Sequence, residues 1–252
     1  MSDIVISIRE SGLAGRWTPV VAAMLAAEVA GQGFRATDVR FWYHLVSNWI
    51  EADRLIAERE LDLTQVRRVL ERLLAEGWAE REGRTWRLTQ AGVVGLAEAL
   101  TDPGAPRRFE ETLLVAFLIR AYRDALLARV RGTAAERRLA ARFELRRFVT
   151  AERRRLDAVA LDLEARVRDG ERLEAVARDA ADPVSAIERA GLPYQLHPMR
   201  PFREVLAPLP PALRAFETGP AYGVRARALF APLAAQVRAQ SAALSSLLPG
   251  ST

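Results

Sequence analysis

The chain has no cysteine, no lysine and two histidines among its 252 residues. Without cysteine there can be no disulfide framework, no thiol nucleophile and no Cys-ligated zinc. His44 and His197 alone could supply imidazole, too little for a histidine-built metal centre or a Ser-His-Asp arrangement. Neither HExxH nor GxSxG occurs, and the glycine pairs of GLAG (Gly12) and GQG (Gly31) lack the flanking residues of a phosphate loop. No catalytic residue, metal or cofactor is therefore expected, and the chain reads as a non-enzyme. Long apolar runs are missing too. VVAAMLAA, Val20 to Ala27, is far short of the roughly 20 residues that cross a bilayer. Asp3 and Glu10 precede it, where a signal peptide would carry basic residues. A cytoplasmic protein without a membrane partner is expected.

What is present is a globular composition, 50% hydrophobic and 27% charged, with a net charge of +5. All 37 basic residues are arginine. So uniform a preference points to codon usage, and it weakens the high net charge as a functional argument. The distribution says more. Residues 1–102 hold 12 Arg against 15 acids, a net of −3, and residues 103–252 hold 25 against 17, a net of +8. Any nucleic-acid contact must be local in the first part or lie partly in the second.

Along the chain, IVISI (Ile4 to Ile8) suggests a short strand. Thr18-Pro19 has the form of an N-cap followed by a first-turn proline, opening a helix to about Ala30. A second helix is expected from Thr37 or Asp38 to about Ala52. Its Phe41, Trp42, Leu45 and Trp49 recur at helical spacing and are expected in the core, with His44 a structural neighbour. Asp62 and Gln65 then form a capping-box pattern ahead of Leu63, Val66, Val69, Leu70, Leu73 and Leu74, one buried stripe over 63–76. Gly77 stops that helix, with Trp78 packing back on it. A hairpin follows over 78–88 around Glu82-Gly83, and Thr89 caps the next helix. TDPGAP (Thr101 to Pro106) marks a boundary between a domain of residues 1–102 and a helical one of 107–252. The second begins with a helix from Phe109 to about Val130. A second capping box, Thr133 and Glu136, opens a helix expected to run unbroken over 134–169. A short helix should end at Gly191, seven prolines fill 192–220, and a last helix spans about Ala221 to Leu248.

The stretch VRRVLERLLAEGWAEREGRTWRLTQAG, Val66 to Gly92, carries a specific order: helix, glycine stop, aromatic strand, tight turn, second strand, LTxxG. It resembles the winged helix-turn-helix regulators of bacteria, in particular the MarR and PadR groups. The likeness is specific over about 30 residues and looser over 37–100. The resemblance implies a short helix and turn at about 52–60 before the recognition helix, but EADRLIAERELD (51–62), without glycine and rich in acids, departs from that pattern. The resemblance implies a mainly α fold with a two-stranded wing, and a recognition helix that reads duplex DNA. On that helix the face opposite the apolar stripe presents Thr64, Gln65, Arg68 and Arg72, with Arg67 alongside. Gln can bond adenine and Arg guanine in a major groove. Arg81, Arg84 and Arg87 of the wing are candidates for phosphate contacts. The same residues also fit a salt-bridged surface helix, since residues 62–89 hold six Arg against five acids, with Arg67–Glu71 and Arg72–Glu76 at pairing distance in sequence.

In the second part, Leu139, Phe143, Leu145, Phe148, Val149, Leu156, Val159, Leu163 and Val167 form a stripe that needs a partner, within an antiparallel bundle or in a homodimer through the C-terminal helices. Arg137, Arg138, Arg146, Arg147, Arg153 and Arg154 form a candidate secondary basic surface on the same helix. The expected function is a DNA-binding transcriptional regulator. The alternatives are a winged-helix adaptor that docks on a protein partner, or an architectural DNA-binding protein without sequence preference.

Overall fold

A computed structural model describes residues 17–31, 33–50, 61–102, 105, 107–178, 180, 181, 186 and 221–248. The strand expected at Ile4 to Ile8, the short helices expected over 52–60 and before Gly191, and the proline-rich 192–220 with His197 lie outside those residues. The fold is mainly α. Eight helices and one two-stranded antiparallel sheet are present among the described residues: α1 (Trp17–Ala30), α2 (Ala36–Ile50), α3 (Leu63–Ala75), β1 (Ala79–Glu82), β2 (Thr85–Leu88), α4 (Gln90–Leu100), α5 (Phe109–Arg129), α6 (Ala134–Arg142), α7 (Leu145–Arg178) and α8 (Ala221–Ser245). They divide into two compact units, residues 1–152 with 244–252, and residues 153–243.

The first unit is built around α1. Its residues from Trp17 to Glu28 are buried on every side, as an apolar helix without a polar face requires. It packs against α2, α4 and α5. Thr18 lies inside this helix and is fully buried, so it does not serve as the expected cap. On α2 the buried face is Ala36, Val39, Tyr43 and Val46, an i, i+3, i+7, i+10 series. That series turns Phe41 and Leu45 outward, 64% and 50% exposed, where the sequence had suggested core. Trp42 and His44 are half-buried, His44 edge-on to Tyr43.

The helix expected over 134–169 is broken. α6 ends at Arg142, the chain turns at Phe143 and Glu144, and α7 runs on to Arg178. The buried residues explain the break. At about 100° per residue, Leu139 and Phe143 lie within about 40° of each other on a continuous helix, while Val149, Leu156 and Ala160 form another set centred about 100° away. One straight helix could not bury both sets, and the turn at 143–144 re-phases them. The expected Thr133–Glu136 box is not formed either. The Thr133 hydroxyl donates to the Val130 carbonyl, and the Glu136 carboxylate accepts from the Gly132 amide at 2.8 Å. Where α7 begins to cross α5, Arg107 and Glu152 are buried 3.7 Å apart, with Phe148 beneath the guanidinium.

In the second unit the remainder of α7 and α8 lie antiparallel, tied by polar pairs in descending order. Asp157 accepts from Ser241 at 2.8 Å, Glu164 from Arg238 at 2.9 Å, and Glu174 from Arg227. Arg166 stacks over Phe230. No helix among the described residues is long and apolar enough to cross a membrane.

Candidate nucleic-acid interface

Local chemistry sets both ends of α3. Asp62 is extended (φ −66°, ψ 122°) and its carboxylate accepts the Thr64 amide at 2.8 Å, so it is the N-cap. Leu61 before it and Val66 four residues into the helix are both buried, the positions of a hydrophobic staple. At the other end Gly77 takes φ +71°, its amide reaches the Leu74 carbonyl at 3.0 Å, and the Trp78 amide reaches Leu73 at 2.7 Å. These are the two bonds of a Schellman stop. Val66, Val69, Leu70 and Leu73 are buried, while Leu63 and Leu74 at the stripe's edge are half-buried.

The hairpin pairs Ala79 with Leu88 and Glu82 with Thr85, which leaves Gly83-Arg84 as a two-residue loop, one residue later than expected. Gly83 has φ +59° and Arg84 does not share that sign, the pattern of a type II′ turn. On β2, Trp86 and Leu88 face inward and Arg87 outward. Phe34, between α1 and α2, bonds Trp86 in both directions at 2.8 and 2.7 Å and so flanks β2.

Of the candidate residues, Thr64, Arg67, Arg68 and Arg72 are exposed on α3 and Gln65 is half-buried. Arg67 and Arg68 have no ion pair or hydrogen bond to a side chain among the described residues, and neither does Arg84 at the hairpin tip. Arg81 behaves differently. It pairs with Glu71 of α3 at 2.8 Å, donates to the Gly83 carbonyl at 2.9 Å, and stacks over Trp86. Glu71 is therefore taken by the hairpin instead of by Arg67, its neighbour in sequence. Glu80 stands opposite Arg87 in the register, and Glu82 is exposed beside the tip. The surface is mixed in sign, with its unpaired cations on α3 and at the tip.

A residue that the sequence reading passed over sets the place of β2. Glu28 ends the buried run of α1; its carboxylate accepts the Leu88 amide at 2.8 Å and pairs with Arg129 of α5. Burial pushes this carboxyl above its ordinary value of 4.5, against the pull of the Leu88 amide and Arg129. The signal was visible as a single acid inside VVAAMLAAEVA. Of the secondary basic surface, Arg137, Arg138, Arg146, Arg147 and Arg154 are exposed, while Arg153 is half-buried. Arg138 pairs with Glu98 at 3.2 Å. Among the described residues no cluster of three or more His, Asp or Glu is placed to hold a metal ion. No protein-family model, curated protein or solved structure matches the chain.

Proposed function

We propose that residues 37–100 form a winged helix-turn-helix module that binds duplex DNA, with α3 in the major groove and the hairpin as a wing on the backbone. The observation that carries this reading is the set of unpaired cations on two adjoining elements, Arg67 and Arg68 on α3 and Arg84 at the turn, beside Thr64 and Gln65. A helix stabilised only as a solvated surface would have spent these charges on Glu71 and Glu76, and it has not. In this proposal the protein is a transcriptional regulator. It acts as a homodimer through its C-terminal helices, where Leu161, Leu229 and Leu233 are exposed.

The test is fluorescence anisotropy on the region upstream of the protein's own gene and on a random duplex, at two salt concentrations. Arg68→Ala is expected to lower affinity for the preferred site by about tenfold or more and to relax its preference. Arg84→Ala is expected to weaken all duplexes alike and to lower the salt slope by about 0.9. Equal losses on both duplexes for both variants would overturn this division of roles. Glu71→Gln frees Arg81 and removes an acid from the face, so it should raise affinity for random duplex by about two- to threefold, scored in the same assay.

A second reading, a module that docks on protein, is favoured by the sequestered Arg81 and by Glu80 and Glu82 exposed on the same hairpin. Absence of binding to any duplex, together with co-purification of a partner encoded beside this protein, would establish it.

A further inference from the structure

We infer that the turn between α6 and α7 carries a second duplex-binding surface, one that holds the sugar-phosphate backbone without reading sequence. It consists of Arg137, Arg138, Arg142, Arg146 and Arg147, five cations in eleven residues, and it does not depend on what α3 binds. Packing sends them outward. Leu139 and Phe143 occupy the inner face of α6, and Phe148 and Val149 that of α7, so the arginines between them are all exposed. The break that re-phases the two apolar faces therefore leaves exposed arginines on both sides of the turn. Two acids lie within it or beside it. Glu136 is half-buried and spends its carboxylate on the Gly132 amide, and Glu144 is exposed. From α4, Glu98 reaches Arg138 alone.

An arginine-rich composition does not by itself produce such a surface. In the second unit, Arg166, Arg172, Arg178, Arg227 and Arg238 pair with acids, within α7 or across to α8, while Arg154 and Arg168 stand exposed without an ion pair among the described residues and are not clustered in sequence. Arg137, Arg142, Arg146 and Arg147 pair with none among the described residues. Unpaired guanidinium groups at this density repel one another and favour a polyanion. The fork geometry of each suits a phosphate, taken two oxygens at a time. Eleven residues of unbroken helix would extend roughly 16 Å, and the turn at 143–144 shortens that reach. The stretch faces at most about four or five phosphates of one strand, at about 3.4 Å of axial rise each.

The experiment uses the full chain and a random 20-base-pair duplex, with affinity followed against salt by anisotropy. One variant carries Arg137→Gln, Arg142→Gln, Arg146→Gln and Arg147→Gln. Another carries Arg67→Ala and Arg68→Ala, and the fold of each is checked by its thermal melt. The fourfold variant at the turn (the elbow variant) should lose about tenfold or more in affinity on every duplex, and its salt slope should fall by about 3.6, since each phosphate contact contributes about 0.9. It should keep whatever sequence preference the wild type has. If the fourfold change disturbs folding, the pairs 137/142 and 146/147 each carry the test, with half the change in slope. Unchanged affinity and slope in folded variants would overturn the inference, as would a wild type that binds no duplex. Loss in the elbow variant with wild-type behaviour in the α3 variant would support the elbow and remove the proposed role of α3. The reverse result would do the opposite.

Discussion

Gly92→Ala is expected to destabilise the first unit by about 3 kcal/mol or more, although alanine is the better helix former by about 1 kcal/mol. Gly92 lies in the first turn of α4, where the Thr89 hydroxyl accepts its amide at 3.1 Å. A Cβ there would stand 1.9 Å from the Trp78 carbonyl oxygen and 2.9 Å from its carbon. The obstacle is backbone, and that carbonyl is already committed to the Thr89 amide at 3.0 Å. The root of the hairpin and the start of α4 would have to separate. Packing strain thus outweighs helix propensity and reverses the sign. Thermal melts should show a fall in Tm of roughly 6–12 °C for a chain of this size. Gly77→Ala is the control. Nothing stands within 4 Å of its Cβ, so only its φ of +71° is at stake, at about 1–2 kcal/mol. If Gly92→Ala costs no more than Gly77→Ala, the close approach of Trp78 does not constrain the fold.

The second large effect is expected at Glu28, whose side chain is 1% exposed. Glu28→Ala leaves the buried Leu88 amide without its acceptor and Arg129 without its carboxylate. The orphaned amide dominates, at about 1–3 kcal/mol. Arg129 is 37% exposed, and water screens its loss. Urea unfolding should therefore show a loss of about 2 kcal/mol. Glu28→Gln keeps the acceptor and should cost much less. The pH dependence has a definite sign. Burial raises the folded-state carboxyl above 4.5, so the folded chain holds this proton more tightly than the unfolded one. The contribution of Glu28 is complete below that value and is lost as pH rises through the raised one. Glu111, raised by the same cause, acts in the same direction. Against wild type, Glu28→Gln should gain relative stability as pH rises from about 4.5 toward neutral, in urea unfolding at fixed salt. A relative loss over that window would show that Arg129 outweighs burial.

Several parts of this molecule could be read from local rules. Asp62, Gly77, Gly83 and Thr89 were legible because a cap or a left-handed glycine depends on neighbours within a few residues. The exposed cations of α3 followed from a stripe whose period left one face free. The outward Phe41 and Leu45 were misread because two overlapping helical series run through ATDVRFWYHLVSNWI, and side-chain size suggested the wrong one. The interrupted helix was available in the sequence as a shift of apolar phase between Phe143 and Phe148. A continuous propensity for helix hid it.

By itself, the sequence determined a mainly helical chain without cysteine, with a capped helix, a glycine stop and a hairpin in fixed order. Those properties rest on backbone geometry and short-range periodicity. Tertiary structure alone decided which charges are spent and which remain. Glu71 went to Arg81 ten residues away, Glu28 to Arg129 and Leu88, and Asp157, Glu164 and Glu174 of α7 to arginines of α8. An ion pair depends on which surfaces meet, and no count of Arg and Glu along a chain contains that. Arg67 and Arg68 on α3, Arg84 at the hairpin tip and Arg137, Arg142, Arg146 and Arg147 at the α6–α7 turn are among the arginines that this packing leaves over.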